Sequence, residues 1–385
     1  MRLLHVIASA KLEGGGPIEG VRQRARVLHE MGHETELVCL DAPAEIDRAL
    51  FPMPVHALGP SRGGYRFNDR LAPWLRENAT RFDAVTAHGI WQQHDYAVWQ
   101  ALHGSSTPYF VFPHGMLDPW FKRAYPLKHL KKTLYWPRQH RILRDAAAVL
   151  FTCEEERLLA RGSFRPYRVT ERVVQYGTAA PEGDPEAQIE AFLNHFPRVR
   201  GRPFLLCLGR VHPKKGHDLL IEAYAKVHGH DRDAPELVIA GPDQIGWQAS
   251  LESLAVRLGV GEHVVWTGMV SGDVKVGAYR ACEAFVLPSH QENFGIVVAE
   301  ALACGRPVLL TDKVNIWREV VADRAGFVAR DTLAGVVDLL TRWRHLPEAE
   351  RSAMGERAAA CFARRFEVGA SARSLVETVG EFLGR

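Results

Sequence analysis

Two glutamates, Glu292 and Glu300, bracket the core of SHQENFGIVVAEALACG at 289–305. An ionised carboxylate accepts two hydroxyl hydrogens at once, so two of them at the mouth of a crevice suit a polyhydroxylated ligand such as a sugar or a ribose. On one continuous helix both would share a face, because their offset is little more than two turns. Pro288 and Asn293-Phe294-Gly295 instead place Glu292 on a loop and Glu300 one turn into an Ala-rich helix that starts near Ile296. Gly295 lets the backbone approach a ligand closely, and the amides at the helix start can face a phosphate. The plain alternative is a helix-capping Glu292 and a solvated Glu300.

Upstream, FLLCLG at 204–209 reads as a strand, and Arg210 and Lys215 follow before the helix DLLIEAYAKV. A planar fork and a mobile point charge on one turn can hold a diphosphate, although two basic residues on a surface turn need no ligand. Two histidines, His88 and His114, end apolar strands, on the sheet edge where ligands of open α/β folds collect. A histidine there is more often packed or capping. Asp231-Arg232-Asp233 has the spacing of a metal-binding DxD motif, but it precedes the strand PELVIAG, at the wrong end for ligand binding, so no metal is expected.

The elements that must position these residues alternate strand and helix. Residues 3–8 read as a buried strand, Gly14-Gly15-Gly16-Pro17 turns into a helix with Ile18, Val21, Ala25 and Leu28 on one face, and ETELVCL returns as a strand. This βαβ opening lacks GxGxxG, which argues against a dinucleotide cofactor. Further strands are expected at 83–88, 109–113 and 146–152, with 173–177 closing the first domain, then at 204–208, 236–240, 263–266, 283–287 and 307–311. Glu319 and Gly326 would begin the last turn. The Pro- and Gly-rich TAAPEGDPEAQ reads as a linker, followed by a helix IEAFLNHF. The expected division is 1–180 and 181–365, with a helix over 366–385 crossing back to the first domain.

Length supports this division, since 385 residues exceed one ordinary domain and suffice for two cores. With 46% hydrophobic and 24% charged residues and a net charge of +3, the chain reads as globular, with no bulk charge to attract nucleic acid. The six cysteines form no CxxC or metal-ligand spacing, which points to reduced thiols and a cytoplasmic protein. No signal peptide and no spanning run of apolar residues is visible. Residues 122–144 interleave Lys122, Arg123, Lys128, Lys131, Lys132, Arg138, Arg141 and Arg144 with aromatics and leucines. That mixture suits contact with an anionic membrane, at the inner face of the plasma membrane, and equally a surface helix whose apolar stripe packs on its own domain.

GRVHPKKG at 209–216, ENFGIVVAE at 292–300 and GGGP at 14–17, in order along nearly the whole chain, resemble retaining glycosyltransferases of family four. HGMLDPW at 114–120 resembles members from bacterial surface-polysaccharide assembly. The resemblance implies an α/β, GT-B fold of two Rossmann-like domains facing across a cleft. It implies transfer of a hexose from GDP-mannose or a UDP-hexose to a hydroxyl of a saccharide or lipid-linked saccharide, without metal or other cofactor. By that resemblance His114, Glu292, Arg210 and Lys215 serve the reacting centre. Gly15, Gly16, Arg210, Lys215, Asn293, Phe294, Gly295, Ile296 and Glu300 bind the donor, with the base near Gly268 to Val270. His88 and Asp118 fall on the acceptor side. Epimerase, phosphorylase and non-catalytic sugar-nucleotide-binding proteins share the same ligands and stand as the alternatives.

Overall fold

The computed structural model describes residues 1–12, 15–229, 231 and 233–384. Gly14 of the glycine run, Arg232 of the acidic tripeptide and Arg385 of the closing segment lie outside the described residues. Contacts divide the chain into two compact units, Met1–Thr178 with Glu367–Arg385, and Ala179–Phe366.

The first unit holds seven parallel strands: β1 (Arg2–Ile7), β2 (Glu34–Cys39), β3 (Val55–Ala57), β4 (Ala84–His88), β5 (Tyr109–Phe112), β6 (Ala148–Phe151) and β7 (Glu171–Val173). Their order is β3-β2-β1-β4-β5-β6-β7. The central strands are apolar almost throughout because helices cover both faces. β3 was not anticipated, since its three residues lie between prolines. The segment 173–177, expected to close the first domain, follows on from β7, and the Val174 amide donates to the Phe151 carbonyl at 2.9 Å.

The second unit has six parallel strands, β8 (Phe204–Leu208), β9 (Glu236–Ala240), β10 (Val264–Gly268), β11 (Ala284–Leu287), β12 (Val308–Thr311) and β13 (Gly326–Ala329), in the order β10-β9-β8-β11-β12-β13. In place of a last turn at Gly326, β13 pairs along β12 from Gly326 opposite Val308. The expected linker is shorter than its composition suggested. Asp184 accepts hydrogen bonds from the amides of Glu186 and Ala187, and Pro185 opens a helix that runs to His195.

In each sheet the strand order reverses beside the first strand: β1 lies between β2 and β4, and β8 between β9 and β11. Loops leaving such a pair diverge to opposite faces and open a crevice at the strands' carboxyl ends. The helix Val368–Leu383 packs Ala372, Leu375 and Val379 onto Leu3, Phe110 and Phe112 of the first unit. All six cysteines are free. Among the described residues no helix is long and apolar enough to cross a membrane.

Candidate active site

In the second unit, two loops leaving adjacent strands are stitched together. The turn after β8 and the loop after β11 meet where His290 donates its amide to the Lys214 carbonyl, at 2.9 Å. Gly216, at φ 68°, seats that turn against Pro288, where a Cβ would stand 2.3 Å from the Pro288 carbonyl oxygen. The contact delivers the Lys215 ammonium to the Glu292 carboxylate, seventy-seven positions away in sequence, in a direct ion pair. Glu292 is anchored by its backbone as well, donating to Lys313 at 2.8 Å and accepting from Asn315 at 3.1 Å. Burial alone would raise the Glu292 carboxyl, but Lys215, with Lys214 and Arg210 adding to the field, holds it below its ordinary value. Arg210 itself is exposed and, among the described residues, pairs with no carboxylate.

Gly295 then turns the chain, at φ 74°, into the helix Ile296–Ala303. A side chain there would press at 3.2 Å on both Glu292 and Val314. The ring of Phe294 is buried edge-on against Phe366, so at this position only the backbone is left to face a ligand. One turn on, the Glu300 carboxylate accepts from Lys275 at 2.6 Å and from the Tyr279 hydroxyl at 2.9 Å. Both partners stand on the helix Gly272–Ala281, which residues 269–271 join to β10. Each carboxylate oxygen keeps a second lone pair for a ligand hydroxyl.

In the first unit, the histidine ending β4 is not at a surface. His88 is 3% exposed and lies behind His114, its Nδ1 3.0 Å from His114 Nε2 and its Nε2 3.0 Å from Nδ1 of His5 in β1. His88 therefore reaches a ligand only through His114, which is mostly buried, at φ 49°. Burial, with the Arg24 guanidinium nearby, pushes His5 and His114 down to about 3 and keeps the stack neutral. His5 Nε2 is buried with no partner among the described residues. A bare lone pair is tolerated there more readily than a stranded N–H. We accordingly assign the protons to Nδ1 of each ring, so that His5 donates to His88 and His88 to His114. The next loop amide, of Gly115, donates to the buried Glu156 carboxylate at 2.5 Å. Tyr176 stands edge-on to the His114 ring and donates to the Gly16 carbonyl at 2.7 Å, which joins the Gly15-Gly16 loop to the histidine stack.

Asp118 is buried and caps the following turn, accepting from the Trp120 amide at 2.8 Å, and it also lines a cavity of about 260 Å³ with Phe121, Tyr125 and Lys128. Asp231 of the acidic tripeptide is engaged by Arg344 at 2.9 Å.

Sequence reasoning missed His5, Arg24, Lys275 and Tyr279. Their signals were a lone polar residue in RLLHVI, an arginine on the apolar face of the first helix, and a Lys–Tyr pair four apart, hence on one helix face. Only the fold links these to the residues that were found.

Two doubly wound sheets, each carrying its polar cluster at the switch point, define a GT-B glycosyltransferase. Residues 15–177 match the glycosyl transferase 4-like domain and residues 188–360 match glycosyl transferases group 1. The chain belongs to the family-four glycosyltransferases. It is similar to a D-inositol 3-phosphate glycosyltransferase of Salinispora tropica, 33% identical over 180 residues, which are 45% of this chain and 37% of the relative. The chain spans from about a quarter to about half the length of the curated relatives it matches. Among solved structures, sucrose-phosphate synthase from Thermosynechococcus elongatus has a TM-score of 0.76 at 18% identity, covering 100% of both chains. Anabaena HepE in complex with UDP and glucose has a TM-score of 0.74 at 18% identity, covering 99% of this chain and 100% of that one. At these identities the structures speak to the fold alone.

Proposed function

We propose that the protein moves a hexose from a nucleotide-diphosphate sugar, GDP-mannose or a UDP-hexose, to a hydroxyl of a saccharide or lipid-linked saccharide, with retention at the anomeric carbon. The observation that carries this reading is the direct Lys215–Glu292 pair, within the field of Arg210, at the switch point of the second sheet. A diphosphate leaving group gains negative charge as the glycosidic carbon–oxygen bond breaks. Arg210 and Lys215 stabilise that charge without a metal. Glu292, kept ionised, takes hydrogen bonds from sugar hydroxyls and offsets positive charge developing on the ring. Glu300 takes the ribose. The acceptor oxygen bonds to the anomeric carbon on the departing face, and its proton passes to the diphosphate oxygen. His114 contributes a neutral imidazole at the reacting centre. Gly15, Gly16 and the backbone of 293–296 complete donor binding. The protein works at the cytoplasmic face of a membrane.

The test is nucleotide release from a panel of nucleotide sugars with and without acceptor, with product configuration read by NMR. Lys215→Ala should lower turnover on the order of 10²-fold, the size expected for losing one charge stabiliser. Turnover within twofold of the parent would remove Lys215 from the mechanism. Release that needs phosphate in place of an acceptor hydroxyl, or an epimerised donor, would replace transfer by phosphorolysis or epimerisation.

A further inference from the structure

The helix Pro126–Arg144 carries two adjoining strips of opposite chemistry. Leu127, Leu130 and Leu134 recur at the spacing of a single helical stripe and are 82%, 63% and 77% exposed, so this stripe does not pack on its own unit. Trp136, Ile142 and Leu143 do that instead. One step around the helix, Lys128, Lys131, Lys132 and Arg138 line a cavity of about 520 Å³ together with Tyr65, Trp91 and Tyr135.

No carboxylate lines that cavity, and among the described residues none of the four cations is ion-paired. Three of them rest on rings: the Lys128 ammonium is 4.9 Å from the Tyr125 centroid, the Lys132 ammonium 4.8 Å from that of Trp91, and the Arg138 guanidinium 3.5 Å from that of Tyr96. Aromatic faces neutralise no charge, so the cavity holds an unanswered positive field. Burial and the neighbouring Lys128 push Lys132 below its ordinary value. Behind the cavity wall, Asp95 is buried and bound by Gln139 at 2.6 Å. The smaller cavity that reaches Asp118 and Met116 shares Lys128 and Lys132, so the cationic mouth and the HGMLD loop have a common wall.

We infer that this surface seats the phosphate-bearing head of an amphiphilic acceptor at a bilayer, the cations holding its phosphate while Leu127, Leu130 and Leu134 enter the apolar layer. A shallow apolar ridge beside a cationic cavity matches an amphiphile, whose tail and anionic head are adjoining. A soluble sugar phosphate would leave the ridge without purpose. The inference deepens the transferase reading by naming the acceptor's chemical class, and rests on it.

The experiment is co-sedimentation of the full chain with vesicles of phosphatidylcholine alone and of phosphatidylcholine with phosphatidic acid. The parent should bind the second and not the first. L127S/L130S/L134S should bind at least tenfold more weakly. K128Q/K131Q/R138Q should lose on the order of 100-fold, at roughly fivefold for each basic residue at an anionic surface. All these positions are exposed, so folding should survive; thermal shift with the donor nucleotide checks this. It also separates the two claims, because a chain that binds vesicles but no nucleotide sugar overturns the transferase reading alone. A parent left in the supernatant with both vesicles, variants that sediment like the parent, or a ridge that proves to join two copies of the chain in sedimentation velocity would each overturn the inference.

Discussion

His88 Nδ1 lies 3.0 Å from His114 Nε2, with the two rings stacked at 5.3 Å between centroids. His114 has a neighbour that decides which of its nitrogens carries the proton. With the protons assigned as above, Nε2 of His114 is an acceptor turned inward and Nδ1–H is the donor left to the site. His88→Gln keeps a polar side chain but no ring to stack or to fix the tautomer. It should lower kcat on the order of 10²-fold through mispositioning, with donor KM little changed. A variant in which KM rises and kcat holds would make His88 a packing residue only.

Glu300 offers a second positioning case. Tyr279→Phe removes one of the two donors that aim the carboxylate and leaves Lys275 in place. A hydrogen bond to a charged group is worth about 1.5–3 kcal/mol, so donor affinity should fall at least about tenfold, with a smaller effect on kcat. Isothermal titration with the donor nucleotide measures it, and unchanged affinity would separate Glu300 from the ribose.

How far the sequence reached is clearest at these two places. The loops carrying Lys215 and Glu292 were legible because glycines, prolines and apolar strands frame them within a few residues. Their direct contact was not, since it depends on β8 and β11 being neighbours, a matter of sheet order. His88 meets the same limit: a histidine ending a strand can be packed or face a ligand, and only the neighbouring strands, which bring His5 to one side and His114 to the other, show that it is packed. Lys275 and Tyr279 lie on a helix with no motif, and only its packing beside Ile296–Ala303 gives them meaning. For the helix at 126–144, composition left membrane contact and self-packing equally open. The exposure of Leu127 and Leu134 rules out the second for that stripe.

The histidine stack also makes stability depend on pH. Burial lowers His5 and His114 to about 3 and His94 to about 4 in the folded chain. The unfolded chain protonates them near roughly 6.5. Between these values the unfolded state binds more protons, so the stability these groups contribute is fully present above the unfolded value and is lost as pH falls through the window. Asp95 runs the other way: burial raises it to about 7, and its contribution is lost as pH rises toward that value. Burial lowers His88, His217 and His228 as well, so the depressed histidines outweigh Asp95 and Tm should fall from pH 7 to pH 5, with a shallower slope in His5→Asn. A Tm flat over that range would contradict the neutral stack.

The stitch between the two donor loops can be cut at one atom. Gly216→Ala places a methyl 2.3 Å from the Pro288 carbonyl at φ 68°, so both the backbone and the neighbouring loop resist it. Gly201→Ala is the matched control, because its φ is 74° but nothing lies within 4 Å of the added carbon. Left-handed backbone costs a residue with a Cβ about 1–2 kcal/mol, and both variants should show that loss in denaturant unfolding. Gly216→Ala alone must also part His290 from Lys214, which moves the Lys215 ammonium off Glu292. Turnover should therefore fall at least tenfold in Gly216→Ala and stay near the parent in Gly201→Ala. Equal activities in the two variants would mean that the register between the loops does not govern catalysis.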